Sequence, residues 1–207
     1  MSDFTPITPL NEAAAAAAAE AAAQPAARPP VRPNARFMRT HPAHWMALGF
    51  GSGLSPVAPG TVGTLWAWVA FGVLNLWLAP LGPLAWAAVL LLGALVGVWA
   101  CTVTARHMAV ADPGAIVWDE VIAFWLVLWL IQPAGLWAQL VAFALFRYFD
   151  AAKPGPVGWA DRWGKLRAGE AIGWRQGAGI MWDDLVAAGC TLLVIALWQR
   201  VWHGALH

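Results

Sequence analysis

Charged residues are scarce in this chain. Only 11% of its 207 residues are Asp, Glu, Lys or Arg, whereas 60% are hydrophobic. A soluble globule of this size needs more polar surface than this composition supplies, so we expect a membrane protein. The net charge is only +1 and no basic patch is interleaved with aromatic residues, so we expect no nucleic-acid partner.

Cysteine is scarcer still. The chain has two cysteines, Cys101 and Cys190, and both lie in apolar segments. We interpret them as small core residues, because neither belongs to a disulfide framework or to a cluster of metal-binding residues.

The first forty residues lack the pattern of a folded core. They contain an alanine run at 13–19 and a proline-rich stretch at 25–33. Such a segment cannot bury a core, and its early acidic residues argue against a signal peptide. We therefore predict a low-complexity disordered tail over residues 1–40 and a membrane-embedded domain over residues 41–207.

The rest of the chain alternates between apolar and charged stretches. All eleven carboxylates and eleven of the twelve Lys and Arg residues fall within 1–62, 105–120 and 146–184. The apolar segments predict an all-α, polytopic membrane helix bundle with about five spans. These segments are 62–79, 83–105, 116–131, 134–149 and 185–202.

The distribution of Lys and Arg predicts the orientation. The turns at 80–82 and 132–133 carry no charge, whereas Arg200 is the only cation beyond the three charged stretches. Loops rich in Lys and Arg stay in the cytoplasm. We therefore expect a multi-pass membrane protein whose charged stretches share the cytoplasmic face.

A glycine-rich stretch precedes the first predicted span. Residues 49–63 (GFGSGLSPVAPGTVG) hold five glycines, two prolines and three hydroxyl side chains. Such a backbone can turn its N–H groups towards an anion, and the following helix N-terminus adds positive potential. Close helix packing is the alternative interpretation. The candidate phosphate-binding residues here are Ser52, Ser55, Gly60 and Thr61.

Two pairs of adjacent acids stand at the start of apolar segments, and a fifth acid closes another. Carboxylates placed against hydrocarbon are costly unless a cation compensates them, although helix capping could explain one acid of each pair. Oxygen ligands without His or Cys neighbours favour Mg²⁺ over zinc. The predicted metal-binding and catalytic residues are Asp119, Glu120, Asp150, Asp183 and Asp184.

Cations accompany these acids. Arg147 and Asp150 are three residues apart on a predicted helix and share a face, and Lys153 follows three residues later. Asp161 and Arg162 come next along the chain. A plain surface ion pair would explain this spacing, but acids and cations beside other acids also build a metal–phosphate site. We therefore add Arg147, Lys153, Asp161 and Arg162 to the predicted phosphate-binding residues.

Several motifs resemble those of the bacterial phosphatidylglycerophosphatase A family, in the same order from about Trp45 to the C-terminus. They are residues 49–63, Ile116–Glu120, Phe146–Asp150 with Lys153–Pro154, Asp161–Arg162 and Gly179–Asp184. The resemblance implies a Mg²⁺-dependent hydrolase of the bacterial inner membrane. Its expected substrate among the membrane lipids is phosphatidylglycerophosphate, which it would convert to phosphatidylglycerol and phosphate. The chain departs from the family pattern in its N-terminal tail and in residues 163–176, which form a longer segment than usual. Apolar residues of this segment alternate with Lys165, Arg167 and Arg175, which predicts that it attracts anionic lipid; an inert surface loop is the alternative.

Other classes fit less well. The motifs of CDP-alcohol phosphotransferases, histidine-type lipid phosphatases and haloacid-type phosphatases are absent. A small transporter or ion channel is the remaining alternative, because acids in membrane segments often mark ion paths. The sequence leaves open whether water or an aspartate attacks the phosphate, and whether the chain forms a homo-oligomer.

Overall fold

The protein is an all-helical bundle. The computed structural model describes residues 29–167 and 169–204, and its regular structure there is entirely helical. Two short 3₁₀ segments, Gly49–Leu54 and Ala79–Leu81, accompany the α-helices. The helices are α1 (Ala35–Arg39), α2 (Pro42–Ala47), α3 (Pro59–Leu78), α4 (Pro83–Met108), α5 (Trp118–Leu130), α6 (Leu136–Ala152), α7 (Pro156–Gly164) and α8 (Trp174–Gly204). The predicted all-α fold is confirmed.

Three helical segments are long and apolar enough to cross a membrane within the described part of the chain. They are Pro59–Leu81, Pro83–Met108 and Trp174–Val201. Helices α5 and α6 occupy the third and fourth predicted spans, but they have only 13 and 17 residues. A helix that spans the hydrocarbon needs about 20 residues. The predicted count of five spans is therefore not confirmed.

Helix α5 is short but central. Nine of its thirteen residues are buried. It contacts α3, α4, α6 and α8, and a helix enclosed in this way is expected to be apolar on all sides. The two acids in its first turn, Asp119 and Glu120, are consequently held among the other helices.

Tryptophan side chains fix α5 against its neighbours. The indole N–H of Trp125 donates to Ala67 O of α3 at 2.7 Å, and that of Trp118 donates to Gly93 O of α4 at 2.9 Å. Gly93 permits this approach, because a Cβ atom there would lie 2.5 Å from Cδ1 of Ile122. Each indole fills apolar space while its polar N–H remains hydrogen-bonded, which suits a buried helix contact.

The outward faces of α3 and α4 are apolar. Their large exposed side chains include Val69, Val73, Leu76, Trp77, Leu84, Leu91, Leu92 and Leu95. A surface of this kind is compatible with lipid contact, in agreement with the predicted membrane bundle.

Part of the predicted tail belongs to the folded structure. Residues 1–28 lie outside the described residues. The N-cap of α1 is Asn34, whose side chain accepts hydrogen bonds from the N–H groups of Arg36 and Phe37 at 2.9 Å. Val31 N donates to Met108 O at 2.9 Å, which attaches the segment before α1 to the end of α4. Packed structure therefore begins before residue 40.

Candidate active site

Three helices bring the predicted acids together. Glu120 comes from α5, Asp150 from the end of α6 and Asp184 from α8. All three are buried, and each offers a carboxylate oxygen within 4.8 Å of the other two. Helix α8 begins at Trp174, nine residues before Asp183, so this acid pair lies inside a helix. The expectation that the pair opens the helix is wrong, because the preceding residues continue the same helix.

Arg147 is the cation that contacts two of these acids. Its NH1 atom donates to Glu120 Oε1 at 3.0 Å and makes a short hydrogen bond to Asp150 Oδ2. NH1 also lies 3.4 Å from Thr64 Oγ1, and that hydroxyl lies 3.2 Å from Glu120 Oε2. The predicted i,i+3 pair of Arg147 and Asp150 is thus present, and it joins side chains from α3, α5 and α6.

The end of the glycine-rich stretch packs directly on this ion pair. A Cβ atom at Gly60 would lie 2.1 Å from Glu120 Oε1 and 3.1 Å from Arg147 NH2. A Cβ atom at Gly63 would lie 3.1 Å from Glu120 Oε2. Glycine at both positions lets the first turn of α3 approach the buried pair. Close packing, one of the two interpretations of the sequence, is therefore part of the role of this stretch.

The serine hydroxyls of the same stretch bond within their own loop. Ser52 Oγ donates to Gly49 O and Ser55 Oγ donates to Val57 O, both at 2.8 Å. Thr61 is half-buried in the first turn of α3, and no side chain caps this helix N-terminus. A phosphate-binding role for Ser52, Ser55, Gly60 and Thr61 stays a prediction, and any such role falls more naturally to the backbone N–H groups of α3 than to the serines.

A second cation connects the other acids. Lys153 Nζ lies 2.6 Å from Asp161 Oδ1 and 2.6 Å from Asp183 Oδ2. Lys165 Nζ contacts Asp161 Oδ2 at 2.7 Å. Burial alone would raise the pKa of Asp161, but hydrogen bonds from both lysines lower it below its ordinary value. Hydrogen bonds to Asp161 and Asp183 likewise raise the pKa of Lys153, against the opposing effect of burial.

The remaining predicted cation lies apart from these groups. Arg162 is exposed and makes no hydrogen bond or ion pair with the described residues. Lys165, three residues later, faces Asp161 in its place. A cavity of about 270 Å³ lies beside this group, and its lining includes Asp112, Asp161, Lys165 and Asp183.

Sequence reasoning missed three of these residues as members of the site. Thr64 lies four residues after Gly60, so the two share a face of α3, and this spacing could have revealed it. Lys165 directly follows the end of α7, four residues after Asp161, and this helix-like spacing could also have revealed it. Asp112 belongs to the loop between α4 and α5 and has no local signal of its own.

Among the five predicted acids, two buried carboxylate oxygens lack a hydrogen-bond partner within the described part of the chain. Asp119 Oδ1 and Asp184 Oδ2 are buried, and neither accepts a hydrogen bond from any described residue. A buried charged oxygen without a partner is costly, so a cation is expected to compensate it. The ligand set consists only of carboxylate oxygens, which suits a hard ion such as Mg²⁺. The residues present therefore fit the divalent cation that the sequence resemblance implies.

The sequence profile of one family, Phosphatidylglycerophosphatase A, matches residues 45–199 of this chain. The matched region contains all the acids and cations of this candidate site. The chain belongs to the phosphatidylglycerophosphatase A family. Its prediction as a phosphatase is thereby confirmed.

Curated relatives agree with this assignment. Phosphatidylglycerophosphatase A of Escherichia coli (strain K12) is 40% identical over 157 residues, which cover 74% of this chain and 81% of the relative. The protein of the same name from Haemophilus influenzae is 41% identical over 155 residues, covering 75% and 87%. A Bacteroides thetaiotaomicron protein named "Putative phosphatidylinositol-3-phosphatase" is 34% identical over 156 residues, covering 72% and 88%. No solved structure matches the chain significantly.

Proposed function

We propose that this chain hydrolyses the terminal phosphomonoester of phosphatidylglycerophosphate, leaving phosphatidylglycerol and inorganic phosphate. The observation that carries the proposal is the meeting of buried acids from α5, α6 and α8 beside two cations, in a chain of the phosphatidylglycerophosphatase A family. Membership supports the reaction, and the curated relatives named phosphatidylglycerophosphatase A support the lipid substrate.

A divalent cation, Mg²⁺ in the first instance, would be held by carboxylates of Asp119, Glu120, Asp150, Asp183 and Asp184. When bound, it would draw electron density from the phosphoryl oxygens and so favour attack at phosphorus. The buried, unpartnered oxygens of Asp119 and Asp184 are the strongest support for such an ion.

The cations of the site would bind and orient the phosphate. Arg147 uses NH1 for its acidic partners, whereas its Nε and NH2 groups donate to none of the described residues and can face an oxyanion. Lys153 supplies a second positive charge six residues further along the chain, just past the end of α6 and next to Asp183. These groups neutralise the charge that the phosphate oxygens carry as the reaction proceeds.

The reaction balances with water as the only co-substrate. The oxygen of water forms a bond to phosphorus and the bond between phosphorus and the glycerol oxygen breaks. The water loses one proton and the leaving glycerol oxygen gains one. The carboxylates of the cluster are the groups within reach to take and return that proton.

The assay that tests this function is phosphate release by purified protein in mixed micelles, with and without Mg²⁺. We expect Mg²⁺-dependent release from phosphatidylglycerophosphate and much slower release from phosphatidylinositol 3-phosphate, the lipid that the name of the third relative suggests. Release from neither lipid would reject the proposal and would leave the transporter alternative. Faster release from the inositol lipid would reject the substrate assignment alone.

The proposed location is the bacterial inner membrane, with the site on the cytoplasmic face. Its support is the excess of Lys and Arg near the site and the uncharged turns at the other end of the bundle. A cysteine introduced at Gly82 should react with an impermeant thiol reagent from the periplasm, whereas one at Gly155 should react only after the membrane is opened. Periplasmic labelling at Gly155 would overturn the orientation.

A further inference from the structure

The acids of the cluster differ in their partners. Both oxygens of Glu120 are contacted, Oε1 by Arg147 at 3.0 Å and Oε2 by the Thr64 hydroxyl at 3.2 Å. Asp184, by contrast, is only 3% exposed and its Oδ2 accepts no hydrogen bond within the described part of the chain. Asp119 Oδ1 is in the same situation. Of these three acids, Glu120 therefore has a cation in contact, whereas Asp119 and Asp184 have none among the described residues.

This difference in partners determines which carboxylates give a divalent ion the most favourable binding free energy. An unpaired buried carboxylate is unfavourable, so an ion beside Asp119 and Asp184 removes an existing cost. An ion beside Glu120 would meet a carboxylate whose charge Arg147 already compensates, and the guanidinium would repel it. Asp150 shares two features with Glu120, because each pairs with Arg147 and offers an oxygen within 4.8 Å of Asp184. Glu120 differs in also accepting a hydrogen bond from the Thr64 hydroxyl.

The surroundings of Glu120 suit a fixed support. Gly60 and Gly63 allow the backbone of α3 to pack on its two oxygens, and Glu120 itself is only 8% exposed. Glu120 and Asp150 hold the Nη1 atom of the Arg147 guanidinium by hydrogen bonds. The Nε and Nη2 donors of the same guanidinium are then available for a phosphate. A guanidinium restrained in this way loses little entropy when it binds a phosphate.

We propose that Glu120 is a positioning residue that holds Arg147 for the substrate phosphate, whereas Asp119 and Asp184 bind the divalent cation. The inference rests on the proposed function, in which all five acids were equivalent candidates as ligands. It separates their roles. Loss of Glu120 should impair the binding of phosphate far more than the binding of metal.

Metal binding is measured on the full chain in detergent, with Mn²⁺ as the probe and electron paramagnetic resonance as the readout. We expect Glu120→Gln to keep Mn²⁺ affinity within about tenfold of the wild type, whereas Asp184→Asn and Asp119→Asn weaken it more than about a hundredfold. Arg147→Gln should bind Mn²⁺ at least as tightly as the wild type, because a positive charge is removed. Glu170→Gln is the matched control, since it breaks another Glu–Arg pair, with Arg175, outside the cluster.

A double-mutant cycle supplies the second readout. If Glu120 acts through Arg147, the variant Glu120→Gln/Arg147→Gln should have a kcat/KM no lower than that of Arg147→Gln alone. The proposal would be overturned if folded Glu120→Gln lost Mn²⁺ binding as completely as Asp184→Asn. It would also be overturned if the double variant lost kcat/KM by the product of the two single-variant losses, since Glu120 and Arg147 would then act independently. If Asp184→Asn does not fold, the comparison of Glu120→Gln with the wild type still decides. If the wild type binds Mn²⁺ but hydrolyses no lipid phosphate, the proposed function is rejected, whereas the assignment of Asp119 and Asp184 as metal ligands can still be tested by Mn²⁺ binding.

Discussion

The site contains two cation–carboxylate groups that differ in their surroundings. Arg147 connects Thr64 of α3, Glu120 of α5 and Asp150 of α6, and its side chain is 19% exposed. Lys153 connects Asp161 and Asp183, and its side chain is 31% exposed. Lys153 also follows the last residue of α6, where the chain turns through a left-handed conformation at φ 46°. The first group is embedded in the helix bundle and the second is formed around a turn.

Each group uses the cation that its surroundings favour. A guanidinium is planar, weakly hydrated and able to bridge two carboxylates, which suits the enclosed position of Arg147. An ammonium is a compact and strongly hydrated charge, which suits the wetter position of Lys153. We infer that the Arg147 group requires exact geometry, whereas the Lys153 group mainly requires positive charge.

Exchanging the two cation types gives the largest expected effect. Arg147→Lys cannot keep NH1 on the acids and also present Nε and NH2 to a phosphate. We expect kcat/KM to fall about a hundredfold, equivalent to about 2.7 kcal/mol of transition-state stabilisation. Lys153→Arg should lose less than about tenfold, because its charge remains. Steady-state phosphate release measures both variants, and equal losses would remove the distinction between the two groups.

The packing of α3 on the Arg147 group predicts the next effect. In Gly60→Ala the new Cβ atom would lie 2.1 Å from Glu120 Oε1, so the ion pair must shift. We expect a loss of about 1–3 kcal/mol in stability together with reduced activity.

The matched control for that substitution is Gly72→Ala on the same helix, where nothing lies within 4 Å of the added atom. It should be neutral or stabilising by up to about 1 kcal/mol. Thermal unfolding in detergent compares the two variants. A neutral Gly60→Ala would show that the contact can relax without disturbing the pair.

The pH dependence of stability tests the Lys153 group. Hydrogen bonds from Lys153 and Lys165 lower the pKa of Asp161 below its ordinary value of 3.8. A carboxyl group with a lowered pKa stabilises the fold above its ordinary pKa, and this contribution is lost as the pH falls through the lowered value. Asp161→Asn should therefore have a lower Tm than the wild type near neutral pH, and the difference should shrink below about pH 4. A difference in Tm that does not change with pH would assign the effect to packing.

More of the contacts in the candidate site than of the membrane topology could be predicted from the sequence. The acid pairs, Arg147 and Lys153 were recognisable because charge is rare in this chain, and the helical spacing of Arg147 and Asp150 predicted their contact. Hydropathy alone could not tell that α5 is a short helix enclosed by protein, because a buried helix and a lipid-facing one have the same apolar composition.

Details that depend on tertiary contacts were also out of reach. The sequence showed that Gly60 and Gly63 lie in a glycine-rich stretch, but it could not tell a phosphate-binding loop from a surface that packs on Glu120. The start of α8 at Trp174 was missed, because residues 174–182 are less apolar than those that follow and have no clear breaker before Asp183. The role of a glycine and the start of a helix both depend on which residues pack against them in the folded protein, and a local sequence pattern does not contain that information.

The segment of residues 163–176 gives the smallest expected effect. The sequence predicts that its cations, Lys165, Arg167 and Arg175, attract anionic lipid. Arg175 instead stabilises the segment itself, since its guanidinium donates to Trp163 O at 2.5 Å and Lys165 O at 2.9 Å and pairs with Glu170. Lys165 pairs with Asp161, whereas Arg167 is exposed and its side chain makes no hydrogen bond or ion pair with a described residue.

Arg167 is therefore the cation of this segment best placed to attract an anionic lipid. An exposed cation near a membrane surface contributes at most about 1 kcal/mol, so Arg167→Gln should raise the KM for lipid by no more than about fivefold. The increase should disappear at high ionic strength, with kcat unchanged, because salt screens an exposed charge. Arg162→Gln on α7 is the matched exposed variant, and a fall in its kcat would support the predicted phosphate-binding role of Arg162. A KM that is the same for Arg167→Gln and the wild type at every salt concentration would identify the segment as an inert surface loop.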